Sequence, residues 1–179
     1  SFSKNLKEIY AFARYKHKNP FLAGLVKEYP ERLTLKKKNN IACAIFKVPV
    51  SIGNYDKGLA KIKEIAEDSE EYLYNLFSVL SYPVTKGFST YKAFSCSEFV
   101  AHILRVMEVE LGNKKTCSYT PWELMDVLKE YKYYEGDLIP LISKCESEGK
   151  DYFSNVNVFY VAGSSIKTLC RLVYRKCHR

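Results

Sequence analysis

The residue of this chain whose type and position suit covalent chemistry is Cys96, in the stretch FSCSEFVAHIL. Ser95 can cap a helix here and Glu98, three residues on, completes a capping box, so Cys96 falls at the first helical position. Unpaired backbone N–H groups and the macrodipole at a helix start stabilise an anion, which favours thiolate and hence a nucleophile. The same amides can hold the oxyanion that forms when sulfur attacks a carbonyl. A structural role competes with this chemistry, because Cys96 is in phase with Phe99, Val100, Ile103 and Met107 and cysteine is among the most often buried residue types.

A thiolate nucleophile needs a base, and the histidines are His17, His102 and His178. His102 lies on the same helix and points well away from Cys96, about 9 Å further along an axis that rises about 1.5 Å per residue. His17, in the basic loop KHKNP, reads as solvated, and His178 is beside the terminus. The residues alone show a nucleophile without its base.

The elements that must position Cys96 follow from periodicity. LKEIYAFA (6–13) alternates as a strand, followed by a loop around Asn19-Pro20 and a short apolar segment, FLAGLVKE. LTLKK and IACAIFKVP, joined at Lys38-Asn39-Asn40, read as a hairpin closed by Pro49. From Asp56 to about Ser81, Leu59, Ile62, Ile65, Ala66, Leu73, Leu76, Phe77 and Leu80 recur at helical spacing. Pro83 and Gly87 then mark a loop leading to Cys96, and Gly112 is the expected stop of its helix. Thr120-Pro121-Trp122-Glu123 opens a further helix, WELMDVLKEY, in which Trp122 reads as a packing anchor. YKYYEGDLI and NVFYVA (157–162) read as strands. A last helix from about Ser164 sets Ile166, Leu169, Cys170, Val173 and Cys177 on one face, with Lys167, Arg171 and Arg175 beside it.

With 179 residues, 47% hydrophobic and 27% charged, the chain has the profile of one globular domain rather than a disordered one. No apolar run approaches the roughly 18 residues needed to span a bilayer, and no signal peptide is visible. The cysteines at 43, 96, 117, 145, 170 and 177 form no C-x-x-C pair, so neither a zinc site nor a disulfide scaffold is signalled and a reducing, cytoplasmic setting is expected. No metal or organic cofactor is implied. The net charge of +8 gathers in Arg14, Lys16, Lys18, Lys27, Arg32 and Lys36 to Lys38, against Glu28 and Glu31. Such a face suits phosphates, anionic lipid or an acidic wall polymer without specific nucleic-acid recognition, and its plainer reading is a solvated surface.

FSCSEFVA, the preceding YLYNLFSVL, the following TPWEL and above all LKEIYAFARYKHKNPFLAGLVKE resemble, in order and spacing, the circularly permuted papain-like hydrolases of the NlpC-like superfamily, YiiX-like branch. The resemblance covers about residues 1 to 138. It implies an α+β fold in which an antiparallel sheet packs on the helix carrying Cys96, and a permuted catalytic order of His on a strand, a polar residue on the next strand, and Cys last. Cys96 is then the nucleophile and Glu8 the residue that orients the base, with Tyr10 and Tyr91 as weaker polar candidates. Glu8 can equally be a charged residue on an outer strand face. The His would fall on a strand just ahead of Ser1, a segment this chain lacks. Residues 139–179 match nothing and form a C-terminal extension of the single domain, ending in a basic amphipathic helix that either docks on it or serves a membrane or acidic partner.

The resemblance implies hydrolysis of a peptide or cell-wall amide through a Cys thioester. Two rivals stand beside it. Related thiol sites move acyl chains between lipids, which predicts an apolar groove beside Cys96. A degenerate, non-catalytic domain that binds an anionic partner predicts a buried, ordinary Cys96.

Overall fold

The computed structural model describes residues 2–3, 8–35, 40–142, 152–155 and 157–178. The alternating stretch IYAFARYK forms β2 (Ile9–Lys16), which turns at His17 and Lys18 and returns as β3 (Asn19–Glu28). β2 pairs antiparallel with β3 on one edge and with β1 (Phe2–Ser3) on the other. Asn19-Pro20 is therefore a strand start and not a loop. The Asn19 side chain anchors that start, its Oδ1 accepting the Leu22 N–H at 3.1 Å and its Nδ2 donating to Ser164 Oγ at 3.4 Å.

LTLKK does not form the expected hairpin strand. Pro30, with its φ already set for a helix, opens α1 (Pro30–Thr34) instead. Arg32 ties this turn down, with Nε on Glu28 at 2.9 Å and a terminal nitrogen on the Arg14 carbonyl at 2.7 Å. Residues 36–39, which carry the proposed lysine run and most of its turn, lie outside the described residues. IACAIF forms β4 (Ala42–Phe46), and its partner is the distant β7 (Lys132–Asp137), in antiparallel register from Ala42↔Asp137.

The long helical stretch divides into α2 (Ile52–Glu67) and α3 (Leu76–Thr85), because the apolar residues Tyr72 and Leu73 are buried in β5 (Leu73–Tyr74) and its approach. β5 pairs parallel with β6 (Ala93–Phe94). Pro83 sits inside α3, and the chain leaves that helix at Lys86 and Gly87, both at positive φ. α4 (Cys96–Val106) starts at the expected capping box but ends before Gly112, because Glu108 already takes a left-handed conformation at φ 61°. α5 (Pro121–Val127) starts as expected, with Thr120 as cap and Glu123 completing the box. After β7 come α6 (Ile139–Ile142) and α7 (Val158–Cys177).

α7 absorbs the segment NVFYVA, which is helix and not strand. Asn157 caps it by accepting the Phe159 N–H at 2.9 Å, and the alternating apolar residues behind it stand on an exposed first turn. The inward face is also not the expected one. Ser165, Thr168 and Leu172 are buried, whereas Ile166, Cys170, Val173 and Cys177 face outward. Small polar side chains let the helix approach β3, and Leu172 joins Leu73 and Ala93 in a minor cluster. Arg171 and Arg175 clamp the helix to Glu71 at 2.7 and 2.6 Å.

The architecture is α+β, with small, mainly antiparallel sheets and α4 at the centre. Phe99, Ile103 and Met107 of α4 pack with Phe12 and Leu25 of the β2–β3 hairpin and with Ile62 and Ile65 of α2. Gly58 permits the close crossing of α2 on α4, since a Cβ there would lie 2.1 Å from Met107 Cε. The other side of α4 buries Ala101 and Leu104 against Leu124 and Leu128. Among the described residues no helix is long and apolar enough to cross a membrane.

Candidate active site

Cys96 is the first residue of α4 and its thiol is exposed, although its neighbours in phase are buried. The start of the helix is held reciprocally. Ser95 Oγ accepts the Glu98 N–H at 3.2 Å and Glu98 Oε2 accepts the Ser95 N–H at 3.2 Å. The sulfur stands at an end fixed from both directions, because β6 delivers the chain to Ser95 and the core holds Phe99.

The residue brought to the sulfur is Tyr74. Parallel pairing places Tyr74 opposite Phe94, two residues before Cys96. Tyr74 lines the same hollow as Cys96; burial, and next its proximity to the Cys96 sulfur, hold its phenol well above the ordinary tyrosine range. The motif YLYNLF was visible in the sequence, but nothing local in it says that its second tyrosine meets the cysteine.

Glu98 lies beneath the site, 2% exposed. Burial pushes its carboxyl up to about 7, against the opposing effect of the Ser95 N–H and the Asn75 side chain. Around neutral pH a large fraction is therefore uncharged, which limits the negative charge placed beside a thiolate.

Cys96 lines two hollows. The larger is a cavity of about 1040 Å³ bounded by Val100 and Leu104 of α4, Ile45 of β4, and Leu124 and Met125 of α5, with a mainly apolar wall that also includes Lys47 and Asp56. The smaller, about 360 Å³, is formed by Phe12, Ala13, Arg14, Ala23, Tyr74, Leu76 and Val79.

Glu8 is not part of this arrangement. Its carboxylate is exposed, paired with Lys27 at 2.9 Å, and lines neither hollow. Tyr10 packs against the main core, and Tyr91 is exposed with its carbonyl accepting from Arg175. None of the histidines lines a hollow either. His17 is not solvated as expected, because its ring packs at 5.7 Å on both Tyr152 and Phe153. His102 packs tilted on Phe94 at 5.1 Å, with burial holding its imidazole below the ordinary value, and His178 stacks on Tyr174. Trp122 is 77% exposed and anchors no packing; it stands next to Pro121, which lines the large groove.

Much of the basic cluster is engaged within the chain. Lys16 and Lys18 reach Ser154 and Asn155 at 2.9 and 3.2 Å, Lys27 meets Glu8, and Arg32 lies 4.0 Å over the Tyr152 ring. Cys145 lies outside the described residues, and among the described ones no group of three His, Cys, Asp or Glu side chains is placed to hold a metal ion. No family model, no curated protein and no solved structure matches this chain, so the chemistry of Cys96 has to be judged from its geometry.

Proposed function

We propose that the protein is a thiol-dependent hydrolase of permuted papain-like type, in which Cys96 attacks the carbonyl of an amide or ester and carries the acyl group as a thioester. The observation that carries this reading is an exposed cysteine at a capped helix start that lines both a large groove and the hollow holding Tyr74. The thiolate adds to the carbonyl carbon, and the oxyanion accepts from the Cys96 N–H and the Tyr74 O–H. Collapse expels an amine or alcohol, which takes up the proton removed from the thiol. Water then splits the thioester, leaving a carboxylic acid and the free thiol.

The proton carrier is the His that the resemblance places ahead of Ser1. The register supports a place for it. Phe2 lies opposite Tyr10 and Ser3 opposite Ile9, so a strand continuing upstream would come opposite Phe12 and Arg14, both in the smaller hollow. The orienting role foreseen for Glu8 has no comparable support.

The groove favours an apolar acyl group over a polar peptide or cell-wall strand. A cavity of about 1040 Å³ with a mainly apolar wall suits a hydrocarbon chain, in line with lipid acyl hydrolysis or transfer. The exposure of Cys96 weighs against a degenerate domain that merely binds an anionic partner.

Two measurements test this. Iodoacetamide labelling near pH 6, read site by site by mass spectrometry, should modify Cys96 faster than the equally exposed Cys170 and Cys177; equal, slow labelling sinks the activated thiol. Incubating a chain extended by its native upstream residues with long-chain and short-chain activated acyl esters should give an intact-mass acyl adduct, absent in Cys96→Ser and faster for long chains. An adduct with no chain-length preference would retain the thiol chemistry and remove the lipid substrate.

A further inference from the structure

The outward face of α7 is apolar and uncovered. Phe159, Ile166 and Val173 recur every seven residues, 87, 62 and 48% exposed, while the opposite face is docked through Ser165, Thr168 and Leu172. At 3.6 residues per turn the three fall within about 40° of one another, forming one stripe. Cys170 and Cys177 lie along it, and Tyr160 and Tyr174 stand exposed beside it. α3, whose Phe77 packs on the cluster containing Leu172, leaves Leu80 and Val84 exposed as well.

The charges of this helix have one sign. Its 20 residues contain no Asp or Glu. Arg171 and Arg175 are paired with Glu71, but Lys167 and Lys176 stand exposed on opposite flanks of the stripe, Lys176 with its ammonium 4.3 Å over the Phe88 ring. An apolar stripe with lysines on both sides and tyrosines at its margin matches the boundary between hydrocarbon and phosphate headgroups.

We infer that α7 seats the protein, outward face down, on an anionic lipid surface. The helix lies on that surface and does not cross it, since it is not apolar enough to span. A second copy is the poorer occupant. Two such faces would bring lysines together with no carboxylate from α7 to pair them, and the positions alternating with Phe159, Ile166 and Val173 are Gly163, Cys170 and Cys177, which fill a helix seam badly. This inference stands independently of the chemistry at Cys96.

The test is co-sedimentation of the full chain with vesicles of phosphatidylcholine, with and without phosphatidylserine. The expected result is sedimentation with the serine-containing vesicles only, weakened by salt and reduced about tenfold or more both by Phe159→Ser/Ile166→Ser and by Lys167→Glu. These side chains are exposed, so circular dichroism should show both variants folded, and the charge variant leaves the apolar stripe intact. Absence of binding, equal binding to both vesicles, binding unaffected by the substitutions, or a concentration-dependent dimer abolished by them would each overturn the inference.

Discussion

Replacing Glu98 with Gln isolates the electrostatics of a buried acid directly beneath the candidate nucleophile. Its carboxyl titrates at about 7 in the fold against an ordinary value of 4.5. A group raised on folding contributes stability that is fully present below its unfolded value and is lost as pH rises through its folded value. At about 1.4 kcal/mol per pH unit, the loss between those limits is about 3 kcal/mol at most, and relaxation around the ionised carboxylate brings the expected figure to about 1–3 kcal/mol. The amide of Gln can still accept the Ser95 N–H that Glu98 accepts at 3.2 Å, so the cap survives while the proton-linked contribution disappears. His102 works in the opposite direction. Burial lowers its imidazole, so its contribution is lost as pH falls, and the wild-type profile alone mixes the two. The difference between wild type and Glu98→Gln removes His102. Urea unfolding across about pH 5 to pH 8 should show the variant gaining on the wild type as pH rises, ending about 1–3 kcal/mol more stable. Parallel profiles, or a variant that loses ground with rising pH, would refute the claim that burial holds Glu98 protonated.

Three further outcomes follow from the geometry. Tyr74→Phe should leave the fold intact but cut thioester formation by about 10²–10³-fold, the range seen on losing one oxyanion donor, measured as single-turnover acylation. Met125→Trp, which narrows the apolar groove, should lower kcat/KM for long-chain acyl esters by about tenfold or more; short-chain esters and the iodoacetamide rate should be unaffected. Thr120→Ala removes the acceptor of the Glu123 N–H and should lower stability by about 1 kcal/mol, read as a shift in urea midpoint with unchanged slope.

The parts legible in the sequence were those decided within one turn of chain. Ser95 with Glu98 and Thr120 with Glu123 marked two helix starts to the residue, because each capping box is made of side chains and amides three positions apart. Cys96 could be placed at a helix start for the same reason, and the alternation in LKEIYAFA and the spacing after Asp56 marked a strand and a helical stretch, while the α+β class was what the resemblance implied. The misread elements were those whose identity depends on a distant partner. The start of LTLKK has strand-like composition, but Leu33 and Thr34 belong to a helical turn opened by Pro30 and held by Arg32. NVFYVA alternates but is captured by the Asn157 cap and by docking of the residues that follow it.

The sequence by itself placed the Cys96 sulfur at the start of a helix, since capping acts over a few residues. Only the tertiary structure decided what meets that atom. Tyr74 shares a hollow with Cys96 because β5 pairs parallel with β6, and the larger groove exists because β4 pairs with a strand far along the chain and faces α4 and α5. The same holds for α7, whose most apolar stripe was left outside because the helix docks through Leu172, small polar residues and two arginines on Glu71. Pairing and docking are set by which long-range combination buries the most surface and satisfies the most polar groups. That choice is made by the whole chain at once and leaves no mark on any short segment of it.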